Sequence, residues 1–312
     1  MFTMICSGPS PKIDKLDHGD PRVRERLFAF LRPHEAECLL ITGNLKNRFP
    51  GTHLYAAGRR GEWLGVGGYY EEPQAVVLGA AGDETARALA AELARRHPDL
   101  QSLCAPAGPA DAACRVLAGM GWTCVGDPRY LLMELDELPP PQRFEDRVRP
   151  IRLGDHLRVV KLLRWIHDRP QEAPVTEREL RAVQMNPLCL VLDDGSGAVA
   201  TAQTNGMGIE AFQVLGVATD PERRNRGYAR AVCASLVRAM WSRGARRAVL
   251  FMKRDNSAAL ECYRNLGFQV QGEYRVARLV RGEADGSVRA MNPNYSPRER
   301  MNRGACSNRK GE

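Results

Sequence analysis

Apolar and polar positions along the chain switch repeatedly between a period of two and a period near 3.6, and the switching outlines two similar halves. In the first half, 53–57 and 63–70 read as strands joined by the turn cluster Gly58-Arg59-Arg60-Gly61, with 75–79 as a third. Asp83 is placed to cap a helix that carries Ala86, Leu89 and Leu93 on one face. That helix finishes in Arg95, Arg96 and His97 and stops at Pro98. A short strand around Leu103, a helix over 111–118 and strands at 122–125 and 130–135 complete the half. The second half has the same order: helical positions between 156 and 181, strands at 189–193 and 198–205, and a long strand at 211–219. A helix over 228–243, a strand at 248–252, a helix over 257–266 and strands beyond Gly267 follow.

An internal repeat supports this pairing. Written one above the other, 257–268 and 111–122 share an Ala-Ala pair, the glycine that ends the helix and the aromatic residue after it, without a gap. Duplication accounts for this together with the matching element order; an unrelated α/β first domain is the alternative. Leu138-Pro139-Pro140-Pro141 cannot continue a helix or a central strand and marks a connector. The expected organisation is a flexible arm over 1–20, a first domain over 21–138, a Pro-rich linker over 139–147, a second domain over 148–280, and a disordered basic tail over 281–312.

Composition narrows the function classes. The 312 residues suffice for two domains, and 44% hydrophobic with 26% charged residues supplies both a core and a solvated surface. No run of ~18 apolar residues predicts a membrane span, and the first twenty residues lack the pattern of a secretory signal. Nine cysteines without a Cys-x-x-Cys pair point to buried thiols in a reducing cytoplasm, with neither a zinc ribbon nor a disulfide framework. Cys104, Cys114 and Cys124 recur at intervals of ten, but no Cys or His partner falls at ligand spacing, so no metal is expected. A net charge of +8 favours anionic partners.

The richest segment is Val217-Ala218-Thr219-Asp220-Pro221-Glu222-Arg223-Arg224-Asn225-Arg226-Gly227-Tyr228-Ala229-Arg230. It is an apolar strand, a turn and a glycine-bearing loop that opens directly into a helix. Such a junction presents unpaired backbone N–H groups and the positive end of the helix dipole, and Gly227 lets a ligand approach the backbone. Arg223, Arg224, Arg226 and Arg230 add charge suited to a polyanion; an ordinary basic loop capping a helix is the other reading.

Val217-x-Thr219-x-Pro221 followed by Arg224-x-x-Gly227-x-Ala229 resembles the acetyl-CoA motif of the GNAT N-acetyltransferase superfamily. Asn256-Ser257-Ala258-Ala259-Leu260-x-x-Tyr263-x-x-Leu266-Gly267-Phe268, some thirty residues on, resembles the second signature of that family. The resemblance covers roughly 148–280. It implies an α/β (α+β) fold of two tandem GNAT-like domains, each a central mixed, mostly antiparallel sheet flanked by helices. It further implies that the backbone of Arg224, Asn225, Arg226, Gly227, Tyr228, Ala229 and Arg230 holds the pyrophosphate of acetyl-CoA. Val217, Ala218 and Thr219 would serve the acetyl carbonyl and pantetheine, Asn256 would contact the cofactor, and Tyr263 would stand near the thioester sulfur as general acid.

The general base is the weak point. Relatives often carry a glutamate where this chain has Gln213, and an amide accepts no proton usefully. Glu210 lies three residues earlier, on the opposite strand face unless a bulge intervenes, and no bulge is marked; it is a weak candidate base. The expected reaction moves acetyl from acetyl-CoA to a primary amine, a small molecule or an α-amino group, by direct attack in a ternary complex. The alternative is a non-catalytic acyl-CoA-binding or regulatory module. Neither nucleic acid nor membrane is an expected partner, and the chain is expected to be a monomer or homodimer. The first domain reads as a degenerate repeat: its junction, Gly79-Ala80-Ala81-Gly82-Asp83-Glu84, is short and acidic and would repel a pyrophosphate.

Overall fold

The computed structural model describes residues 10–126, 129–167 and 169–282. The first ten elements are β1 (Lys12–Leu16), α1 (Pro21–Leu31), α2 (Glu35–Lys46), β2 (Thr52–Arg59), β3 (Glu62–Tyr70), β4 (Ala75–Gly79), α3 (Asp83–Arg96), β5 (Ser102–Pro106), α4 (Ala107–Ala118) and β6 (Trp122–Val125). After β7 (Arg129–Leu135) the order repeats: β8 (Val148–Pro150), α5 (His156–Ile166), α6 (Glu177–Gln184), β9 (Leu188–Asp193), β10 (Ala198–Met207), β11 (Ala211–Thr219), α7 (Tyr228–Trp241), β12 (Arg247–Lys253), α8 (Ser257–Arg264) and β13 (Gln269–Arg281).

The described residues form two compact units, 10–130 with 272–282, and Leu131–Gln271. The first has the strand order β1-β2-β3-β4-β5-β13, with β6 also on β13. In it β4–β5 is parallel, while β1–β2, β2–β3, β3–β4 and both pairings of β13 are antiparallel. The second has the order β8-β9-β10-β11-β12-β7, with β11–β12 parallel and β8–β9, β9–β10 and β10–β11 antiparallel. Leu78, Leu89, Leu93 and Leu103 centre one core, and Phe212, Val232, Leu236 and Leu250 the other.

Local sequence explains the elements. Arg60 and Gly61 both have positive φ (52° and 86°), so a two-residue turn matching strand twist joins Arg59 to Glu62. In α3, Asp83 and Glu84 stand in the first turn and Arg95 and Arg96 in the last, complementing the helix dipole. The N-cap there is Gly82, one residue before the expected Asp83.

Three expectations change. Lys12–Leu16 is a strand paired to β2 rather than a loose arm, and Asp20 caps α1, accepting from the Arg22 N–H, with Pro21 at its first position. The division does not fall at the prolines. The strand after β6 already belongs mostly to the second unit, and the strand after α8 returns to the first, so each half of the sequence contributes one strand to the other's unit. The expected linker is tied down as well: the Arg238 side chain on α7 donates to the Pro139 carbonyl at 2.7 Å and pairs with Glu145 at 3.0 Å. The expected tail falls outside the described residues beyond Gly282.

Candidate functional site

β11 is the spine of the site. Its edge against β12 pairs only at Ala211↔Arg247, Phe212↔Ala248 and Gln213↔Val249. From Val214 onward no strand among the described residues covers that edge, so the main-chain groups of 214–219 line a split in the sheet. The register with β10 shifts between Thr201↔Ala218 and Gln203↔Leu215, which leaves one extra residue on β11 beside Gly216. Gly216 has φ +60°, and a Cβ there would meet Leu163 and Gln203 at 3.1 and 3.2 Å; glycine is what permits this bulge. An isolated glycine inside a strand pattern is the signal that marks it.

The strand leads into the arginine-rich loop. The Asp220 N–H donates to the Val199 carbonyl (2.9 Å), and its carboxylate accepts from the Glu222 N–H (3.0 Å). Arg223 is neutralised by Asp194 at 3.1 Å. Asn225 (φ 62°) and Gly227 (φ 86°) are both left-handed, and Gly227 is the N-cap of α7. No side chain caps this helix, and its first turn carries no acid. Among the described residues the first N–H groups of α7 therefore have neither an intrahelical nor a side-chain acceptor. Exposed Arg224 and Arg226 and half-buried Arg230 have no carboxylate partner among the described residues. A helix start that concentrates positive charge is matched to an anion.

The remaining candidates divide. Val217 is partly buried against the core, Ala218 is buried, and the Thr219 hydroxyl is buried with no partner among the described residues. Tyr228 packs its ring edge-on against Phe144 (5.2 Å, 82°), so only its main chain is available to the loop; Ala229 follows it in the first turn. Asn256 commits its side-chain oxygen to capping α8, accepting from the Ala259 N–H at 3.0 Å, which leaves its amide nitrogen for a ligand. Tyr263 packs on Phe268 (5.7 Å). Burial near Cys233 and Cys262 pushes its hydroxyl well above the usual tyrosine range. It stays protonated at any physiological pH and is a hydrogen-bond donor first and a proton source second.

Glu210 is not brought to this place. It lies in the turn before β11, seven residues and about 20 Å of extended strand from Val217. The β11 bulge lies beyond Gln213, so it does not turn Glu210 onto that residue's face. Gln213 is buried and its side-chain oxygen accepts from Asn205 at 3.0 Å. Neighbouring amides continue the layer: Asn186 donates to Gln203 at 3.3 Å, and the Asn205 oxygen is buried without a partner among the described residues. Sequence reading missed Gln203 and Asn205, because buried amides on a strand follow no motif.

Comparisons with known proteins bear on the family and the fold. Residues 158–268, which lie within the second unit, match the acetyltransferase (GNAT) family model. No curated protein matches the chain at a significant level. Among solved structures, a Drosophila protein superposes with TM-score 0.60 at 15% identity, over 86% of this chain and 98% of its own. A GCN5-related N-acetyltransferase from Sphaerobacter thermophilus gives 0.56 at 16%, over 89% and 98%. A GNAT-family acetyltransferase from Colwellia psychrerythraea gives 0.50 at 10%, over 86% and 98%. At such identities the likeness is one of fold. Among the described residues, no helix is long and apolar enough to cross a membrane, and no cluster of side chains could hold a metal ion.

Proposed function

We propose that the second unit transfers an acyl group, acetyl foremost, from coenzyme A to a primary amine by direct attack in a ternary complex. The observation that carries the reading is the junction of β11 and α7, where an unpaired strand edge runs into an uncapped helix start with three uncompensated arginines. That sequence of groups suits, in order, an amide-bearing pantetheine arm and a diphosphate. Main-chain N–H groups near Val217 would polarise the thioester carbonyl. Tyr263 would donate to the departing thiolate. Holding both reactants at near-attack distance supplies much of the acceleration, so few side chains need take part.

Gln213 bears on the acceptor. With an amide at that position, the amine must arrive largely unprotonated. Deprotonating an ε-amine at pH 7 costs about 4.6 kcal/mol, against about 1 kcal/mol for an α-amine. The reading is therefore a small or α-amino acceptor of low pKa. The same amide favours one second reading, a module that binds acyl-CoA without turning it over. The seven free cysteines among the described residues suit a reducing compartment such as the cytoplasm. Release of free thiol from acetyl-CoA, with and without an added amine panel, tests the proposal. Amine-dependent release, fastest for α-amines at pH 7, is expected; binding without release would leave the module reading in its place.

A further inference from the structure

Cys104, Cys114 and Cys124 recur in sequence without a metal to explain them, and the first unit separates their fates. Cys104 is buried on β5, whereas Cys114 and Cys124 come together. On α4, Asp111, Cys114 and Arg115 lie on one face at helical spacing, and this face packs against β6, which carries Trp122 and Cys124. These residues and Arg275 from β13 line an open cleft of about 400 Å³. Both cysteines line it, with the Cys114 thiol in reach of the Cys124 sulfur. Asp111 holds the Arg275 guanidinium in place at 2.8 Å and is shared with Arg129 at 3.1 Å.

We propose that Cys114 and Cys124 form a peroxide-responsive dithiol that closes to a disulfide in this cleft. The two sulfurs have different tasks. Cys124, half-buried, receives a hydrogen bond from Cys114 and faces Arg275, and both contacts hold its thiol below the usual range against the cost of burial. Cys114 is the more buried and keeps its proton. Cys124 is the attacking thiolate and Cys114 the resolving thiol.

In the first step the Cys124 sulfur attacks one peroxide oxygen. An S–O bond forms, the O–O bond breaks, and the departing hydroxide takes a proton to become water. In the second step Cys114 gives up its proton and attacks the Cys124 sulfur. The S–S bond forms, the S–O bond breaks, and the hydroxide leaves as a second water. Two thiols and one hydrogen peroxide give one disulfide and two waters, and an external dithiol reverses the change. Cys104 and Cys233 are buried and burial pushes the Cys262 thiol up to about 11, so oxidation is expected to begin at Cys124.

The test uses the full chain with equimolar hydrogen peroxide, followed by alkylation of remaining thiols and peptide mapping. The expected result is a Cys114–Cys124 cross-link reversed by dithiothreitol, a loss of two alkylatable thiols, and Cys262 still alkylated. Cys124→Ser is expected to slow thiol loss at least about tenfold. Cys114→Ser is expected to leave a sulfenic acid on Cys124 that dimedone captures. A cross-link between other cysteines would overturn the proposal, as would alkylatable Cys114 and Cys124 at peroxide doses that oxidise Cys262. So would a Cys124→Ser protein that loses thiols at the wild-type rate, or a Cys114→Ser protein that dimedone does not label. The wild-type map stands whether or not either variant folds.

Discussion

The two halves of the sequence run through the same order of elements, and they part company at one junction. In both, the fourth strand of the repeat pairs in parallel with the fifth at only three positions, Ala75–Val77 with Ser102–Cys104 in the first and Ala211–Gln213 with Arg247–Val249 in the second. Beyond this, β11 runs on for six residues and is followed by an eight-residue loop, whereas β4 ends two residues later and α3 begins at Asp83. Cys38 on α2 presses against Gly79 at the end of β4, so a Cβ there would lie 2.5 Å from its sulfur. The first helix starts with Asp83 and Glu84, the second with no acid and an adjoining arginine cluster. At the repeat position of Tyr263 stands Leu117, fully buried. A shared frame therefore does not make a shared site. The extended strand, the left-handed loop and the absence of acid from the α7 start are the local differences on which the proposed anion site rests.

Substitutions can break this contrast in graded steps. The largest stability effect is expected in the connector between α5 and α6, which the first unit replaces with a single short turn. Buried Arg164 pairs with Glu179 at 2.8 Å and donates to the carbonyls of Ala173 and Pro174. Glu179→Gln should cost about 3 kcal/mol in chemical denaturation, because it strands a buried guanidinium. Arg164 holds the Glu179 carboxyl at about 2 in the fold, down from 4.5. Its contribution is therefore fully present above pH 4.5 and lost as pH falls toward 2, and the variant should lack that part of the acid-stability slope.

Next in size, Gly227→Val should weaken acetyl-CoA binding about a hundredfold by calorimetry. The position is left-handed, and a β-branched side chain both strains it and blocks close approach to the backbone. Smaller again, Arg224→Ala and Arg230→Ala should each lose about 1 kcal/mol of affinity, with the loss shrinking as salt is raised. The smallest effect belongs to Gly82→Val, the matching N-cap of the first unit. Its φ of −71° and open surroundings tolerate the change, and affinity should not move. A comparable loss there would erase the contrast.

Much of this was legible in the sequence. Period and turn residues located the second-half strands and α7, and the repeat of 111–122 in 257–268 reappears as Gly121 and Gly267, both with positive φ, followed by buried Trp122 and Phe268. The motif residues gather at one junction because they are contiguous in sequence. What escaped reading depends on distant partners. The strands β7 and β13 cross to the other half's unit, which no local pattern records. Asn205 meets Gln213 across β10 and β11, Gln203 meets Asn186 from outside the strand, and Cys114 meets Cys124 through the packing of α4 on β6. Tyr263 was identified by its place in a motif, whereas the upward shift of its hydroxyl follows from burial.

Amide hydrogen exchange of the full chain, with and without saturating acetyl-CoA, tests the central claim most directly. The account predicts slowed exchange at the main-chain amides of 225–230 and along 214–219, with none at 80–85. Unchanged exchange across 225–230, or protection at 80–85 instead, would contradict it.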